Sequence, residues 1–324
     1  MNLTDLTGHV FLPSSFPLPL DRPFTYATAR REAGLESRDL KWLVDNAFLR
    51  RPVKGVYVAS QLGDSLGLRC ACLRLVVPPD AVVCDRHAGW LHGAEMVLAP
   101  NEHLNLAPIS VYLPPGRRLK NGLADGGERQ LRPEDVVELH GLRLTTPIRT
   151  ACDLGRNRWQ ERSLAALDQM LRLEAFSKEE LLGGVARFRG MRWVTCLRLM
   201  APLADGRAES PPESVLRLRW IEAHLPTPVP QLEVWNGADF LARLDLANEE
   251  MRFGAEYDGA EWHSSDEQRA SDRRRRAAVE ELCDWVVKPF VKENLFGHQA
   301  DAERLLREGA AEARRRFGGR LPAV

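Results

Sequence analysis

The chain has 324 residues, of which 45 are Lys or Arg and 45 Asp or Glu, with 44% hydrophobic and 28% charged residues. That length predicts two or three domains of roughly 100–200 residues each, and the composition excludes an extended disordered chain. A formal net charge of zero excludes a protein that coats nucleic acid non-specifically, though not one with local basic surfaces.

No apolar run approaches the roughly 20 residues of a membrane span. The opening MNLTDLTGHVFLPSSFPLPL lacks the basic start and continuous apolar core of a signal peptide. The expected location is cytoplasmic, with no membrane partner. The six cysteines, Cys70, Cys72, Cys84, Cys152, Cys196 and Cys283, are dispersed and make no C-x-x-C pair. Reduced, partly buried thiols follow.

Residues 1–22 form a Pro-rich lead-in. In residues 23–60, Pro23 opens a helix that closes at Gly34. Ser37 suits the N-cap of a second helix, with Leu40, Leu43, Val44 and Ala47 on one buried stripe. LRRPVKGVYVA then predicts two short strands around a turn near Lys54 and Gly55. Helix, turn, helix and hairpin is the order of a winged helix-turn-helix. The second helix would present Arg38, Lys41, Trp42, Asp45 and Asn46, and the hairpin Arg50, Arg51 and Lys54. From Arg22 to Val58 there are eight Lys/Arg against four Asp/Glu, a local excess suited to phosphates and groove edges. A small helical cap with a solvated face is the alternative.

Residues 61–158 alternate apolar runs with turn residues and predict a mixed α+β unit. Thr146 and Pro147 open a helix carrying Ile148, Cys152 and Leu154. No titratable cluster stands out there, and His87, His92 and His140 are expected to be surface or satisfied core histidines. Residues 159–207 predict a helical connector with a break at Gly183–Gly184 and a hinge at Ala204 to Arg207.

Residues 208–324 make the last domain. Ser210, Pro211, Pro212 and Glu213 mark a helix start. Strands follow around QLEVW, FLARLDL and RFGAEYD, then a basic helix, the strand WVVKPF and a closing helix from about Ala300 to Arg316. With the turn centred between Glu250 and Met251, Asp245 falls opposite Glu256 and Leu244 opposite Tyr257. Alternation then puts Asp245, Glu256 and Asp258 on one face, and Leu244, Leu246, Phe253, Ala255 and Tyr257 on the other. Opposed carboxylates repel, so a divalent cation between them would explain the arrangement. Arg269, Arg273 and Arg276 recur at helical spacing on the basic helix and could track a phosphate backbone.

GRAESPPESVLRLRW, PQLEV, RLDLA, AEYDGAEWH and DRRRR, over about Ala208 to Phe296, resemble the PD-(D/E)xK nuclease superfamily, in its branch similar to the very-short-patch-repair endonuclease. DRHAGWLHG and LRLTTPIRTACDLGR resemble the AbiEi-type antitoxin of abortive-infection toxin–antitoxin systems. Together they imply an α+β multidomain chain: a winged helix-turn-helix, a middle α+β antitoxin-like unit and a restriction-endonuclease-like αβββαβ core. The nuclease resemblance implies Asp245, Glu256 and Asp258 as ligands of Mg²⁺ or Mn²⁺, with Glu213 as an additional helical acid and Gln231 as a strand residue near the site. His263 would assist as general acid or base. Asp258 stands where the superfamily has a lysine. Two readings result: a metal-dependent DNA endonuclease with a DNA-binding front end, or a transcriptional regulator or antitoxin whose last domain cuts weakly or not at all. The expected partners are DNA and, on the second reading, a toxin or a second copy of the chain.

Overall fold

A computed structural model of the protein describes residues 3–106, 108–114, 116–117, 124–128, 131–259 and 266–318, with side chains outside 4–5, 124–128 and 266–273. The chain is α+β and divides into two compact units, Met1–Leu154 and Gly155–Val324.

In the first unit, the lead-in is part of a core. Leu6, Leu12, Phe16 and Leu18 are buried in one cluster with Phe24, Ala29, Leu35, Leu40, Leu43 and Phe48. Strand β1 (Phe24–Thr25) runs into helix α1 (Tyr26–Ala33), where Thr25 caps the N-terminus and Gly34 closes the helix in a left-handed conformation. Helix α2 (Ser37–Asp45) is capped by Glu36, not by Ser37 as expected. Asp39 decides this, because its carboxylate accepts the Glu36 NH at 2.8 Å and completes a reciprocal capping box. Strands β2 (Leu49–Val53) and β3 (Val56–Ala59) form the expected hairpin, and β1 adds to β3 antiparallel.

Next come α3 (Leu66–Arg74), β4 (Val82–Val83), α4 (Asp85–Leu91), β5 (Ile109–Leu113), β6 (Ala124–Glu128), β7 (Val136–Leu139), β8 (Leu142–Thr145) and α5 (Pro147–Gly155). The strands assemble in the order β6-β5-β4-β8-β7, with parallel and antiparallel pairs mixed. Cys70 and Leu73 of α3 and Trp90 and Leu91 of α4 pack on the apolar residues of β4, β5 and β8, together with Val53, Val56 and Val58 of the hairpin.

The second unit begins with α6 (Gln160–Leu171), α7 (Lys178–Val185) and α8 (Val194–Met200). Helix α7 runs through Gly183 and Gly184. The interruption expected there lies earlier, where Glu174 takes a positive φ of 53°. Ala204–Arg207 is pinned rather than hinged: Ala204 is buried, and the Asp205 NH donates to the buried Asp168 carboxylate at 2.8 Å.

Helix α9 (Pro211–Glu222) follows, then β9 (Val229–Asn236), β10 (Asp239–Asn248), β11 (Phe253–Tyr257), α10 (Asp266–Cys283), β12 (Val286–Phe290), α11 (Lys292–Leu295) and α12 (Ala302–Phe317). The sheet order is β12-β11-β10-β9, with β11 and β12 parallel. One face packs against α9, α11 and α12 through Leu246, Phe253, Ala255, Val286 and Phe290. Val279 of α10 packs on the other with Val234, Ala242, Leu244, Ala247 and Val287.

This distribution corrects one expectation. Leu246 pairs with Ala255, the register that sets Asp245 against Glu256, yet Leu244 and Leu246 pack in different clusters. A Cβ on Gly254 would come within 2.7 Å of Leu244, so Leu244 lies on the α10 side. The cause sits on the neighbouring strand. Gln231, between Pro230 and Leu232 that pair with Leu246 and Leu244, has φ 55°, which breaks the pleat beside Asp245.

Candidate functional site

Beside the break in the pleat lies a cleft of about 370 Å³ lined by Gln231, Asp245, Glu256, Asp258, Arg275 and Arg276, among others. Three elements supply its acids. On β10 Asp245 is half-buried, and its Oδ2 accepts the Tyr257 NH at 2.7 Å. Glu256 on β11 is buried, and Asp258 follows that strand. Glu213, buried in the first turn of α9, does not line the cleft but stands close enough to Asp245 to act on its charge.

Burial raises the Asp245 carboxyl most, and the like charges of Glu213 and Glu256 add to it. The Tyr257 hydrogen bond opposes them, leaving Asp245 pushed up to about 7. The other acids have donors at hand. Glu213 accepts from Ser210 Oγ at 2.7 Å, from the Glu209 NH at 2.8 Å and from Gln231 Nε2 at 2.9 Å. Glu256 faces two guanidinium groups, with Arg275 Nη2 and Arg276 Nε each 3.4 Å away. Arg276 also reaches Asp258 at 3.6 Å.

The chemistry of these donors suits a hard divalent cation, but their arrangement does not. Among the described residues no three His, Cys, Asp or Glu side chains lie together closely enough to hold a metal ion. Glu256 is turned toward arginines, and Glu213 is occupied by donors of its own helix start and of Gln231. The cleft as built is a carboxylate–guanidinium cluster. His263 lies outside the described residues, as do the side chains of Arg269 and Arg273. Arg276 is at the cleft, and so is Arg275, which helical spacing from Arg269 does not single out.

In the first unit, the residues expected to meet DNA divide into two groups. Arg38, Lys41, Arg51 and Lys54 are exposed, with Lys41 held by Asp45 at 2.5 Å. The other three are engaged within the fold. Trp42 stacks on Phe48 at 5.9 Å, and Asn46 donates to the Trp42 carbonyl at the end of α2. Arg50 is half-buried and donates back to the Leu62 carbonyl.

Two buried ion networks are not apparent from sequence spacing. Arg149 on α5 donates to Asp153 at 2.7 Å and to Asp135 at 2.9 Å, and Asp135 also accepts the Arg132 NH. In the second unit Arg217 of α9 meets Asp168 of α6 at 2.6 Å and donates to the Leu203 carbonyl. The pairs Asp135–Arg149 and Asp168–Arg217 span distant segments, so no local pattern announces them. His87 and His92 are satisfied within the fold, His87 Nδ1 accepting the Ser110 NH and His92 Nε2 meeting the Thr145 carbonyl. Burial lowers His87 to about 4, so it stays neutral.

Residues 81–203 match the family model described as the AbiEi antitoxin C-terminal domain. Two Mycobacterium tuberculosis proteins, "Uncharacterized protein Rv2248" of strain ATCC 25618 / H37Rv and "Uncharacterized protein MT2308" of strain CDC 1551 / Oshkosh, are each 32% identical over 252 residues. The alignment covers 78% of this chain and 89% of each relative. The chain belongs to the family of these two proteins. The antitoxin match runs from just before β4 to the turn after α8. It therefore contains the Asp135–Arg149–Asp153 network and Asp168, while α1 to β3 and the acid cleft lie outside it. Among the described residues no helix is long and apolar enough to cross a membrane.

Proposed function

We propose that this chain is a DNA-binding regulator of the antitoxin type, acting through the basic two-helix and hairpin block at residues 24–59 and, through its antitoxin-like segment, on a toxin partner. The match of residues 81–203 to the AbiEi antitoxin C-terminal domain carries this reading. The exposed Arg38 and Lys41 on α2 and Arg51 and Lys54 on the hairpin support it, since these side chains suit phosphate contacts. A gel-shift assay on the DNA upstream of the chain's own gene tests it. Binding is expected to weaken about tenfold in Arg38→Ala or Lys41→Ala, with a shallower salt dependence. Unchanged binding in both variants would remove the recognition helix from the reading.

One observation favours a second reading. Asp245 and Glu256 share a cleft with Asp258, and repulsion from Glu213 and Glu256 helps raise Asp245, as at sites that receive a cation. On this reading the last domain is a PD-(D/E)xK-type nuclease with Asp245, Glu256 and Asp258 as ligands of Mg²⁺ or Mn²⁺. It requires Glu256 to leave Arg275 and Arg276. Incubation with supercoiled plasmid, with and without Mg²⁺ or Mn²⁺, beside Asp245→Ala decides it. The regulator reading expects no metal-dependent nicking, and nicking that disappears in Asp245→Ala would establish the nuclease.

A further inference from the structure

The first unit contains a cavity of about 320 Å³. Its floor is apolar, made by Val53 and Val58 of the β2–β3 hairpin, Leu68 and Cys72 of α3, Trp90 of α4, and Leu106. Burial pushes the Cys72 thiol up to about 12, so it behaves there as an apolar group. Cations stand over this floor. Arg69 lies 4.6 Å above the Trp90 ring and is neutralised by Asp64 at 2.6 Å and Glu95 at 3.0 Å. Arg50 is different. It donates to the Leu62 carbonyl, a neutral acceptor, and among the described residues its buried Nε has no hydrogen-bond partner.

A guanidinium bonded to a neutral carbonyl keeps its charge uncompensated, and an anionic oxygen on its remaining NH groups offsets that charge best. A volume within the usual range of about 300–1,000 Å³ for small-ligand sites, together with an apolar floor, defines the rest of the guest. We infer that this cavity binds a small amphipathic anion, an aryl or alkyl carboxylate, with its carboxylate on Arg50 and its apolar body over Leu68, Trp90 and Leu106. Arg51, which also lines the cavity, supplies further positive potential at the rim. The inference does not depend on DNA binding. The cavity is nevertheless walled by the hairpin that carries Lys54, so an occupant would touch the proposed wing.

Calorimetric titration of the full chain with 4-phenylbutyrate, and in parallel with uncharged 4-phenyl-1-butanol, tests the site. One saturable site is expected for the acid and binding about tenfold weaker or worse for the alcohol. Arg50→Gln should weaken the acid about tenfold and leave the alcohol unchanged, while Leu68→Trp, which fills the cavity, should weaken both. Arg31→Ala, at an exposed residue outside the cavity lining, should bind as wild type, and thermal melts establish that each variant is folded. Absence of saturable binding, or acid affinity equal in wild type, Arg50→Gln and Leu68→Trp, overturns the assignment. A melt showing Arg50→Gln unfolded transfers the decision to Leu68→Trp and the acid–alcohol pair.

Discussion

Asp245 gathers the electrostatics of the second unit into one residue. Folding raises its carboxyl to about 7, against about 4 in an unfolded chain. The folded state therefore holds this proton more tightly. The favourable balance is complete below about pH 4 and is lost as the pH climbs through about 7. Asp245→Asn keeps an oxygen for the Tyr257 NH and removes the charge. We expect it to stabilise the protein at pH 8 by about 1–2 kcal/mol, discounted for a half-buried group, or a few degrees in Tm, with little gain at pH 5. Melting curves at the two pH values measure this; an equal gain at both would mean that the cost of holding a charge at this buried, acid-flanked position is not the cause. The pairing of Asp245 with Glu256 is legible in the sequence because strand alternation has a fixed period. The roles of Gln231 and Arg275 are not. A left-handed backbone at a glutamine has no sequence signature, and which arginine of a basic run faces a strand depends on how the helix is set against the sheet.

At the scale of elements, α12 meets the sheet at Gly309, where a Cβ would lie 2.5 Å from the Phe253 ring. Phe253 cannot move aside, being fully buried and stacked on Trp220 at 5.0 Å. Alanine would favour the helix intrinsically by about 1 kcal/mol, but overpacking a close-packed site costs about 1–3 kcal/mol and should win. Gly309→Ala is thus expected to lower the melting temperature by a few degrees. A rise would show that helix and sheet separate easily there. Two helix starts, at Pro147 and Ser210, were readable, whereas α1 begins at Tyr26 behind the Thr25 cap and not at Pro23. Ser210 caps α9 as its Ser-Pro-Pro-Glu signature predicts, because a cap is a contact between residues three apart. The choice of Glu36 over Ser37 followed the same local rule, with Asp39 as the deciding partner. The side of the sheet that Leu244 faces followed no local rule, since Gln231 on the neighbouring strand sets it.

For the whole molecule, readable parts and unreadable ones differ in how far apart their partners lie. The αβββαβ order of the last domain appears along the chain because each element is a local pattern. The Pro-rich lead-in is a core segment whose leucines and phenylalanine pack with α1 and α2. Arg149 and Arg217 each close a charge pair over a long stretch of chain. The second pair bears on modularity. The antitoxin match ends at Leu203, with Asp168 inside it and Arg217 beyond it. A fragment cut at the limits of the match would leave Asp168, fully buried in the intact chain, without its guanidinium, a loss of about 3–5 kcal/mol for a buried pair. It would also leave behind α3, whose Cys70 and Leu73 fill the core around β4 and β8. The stretch that bears the family signature is thus not a transplantable cassette, and grafting or shortening this protein must respect Arg217 as much as the antitoxin segment itself.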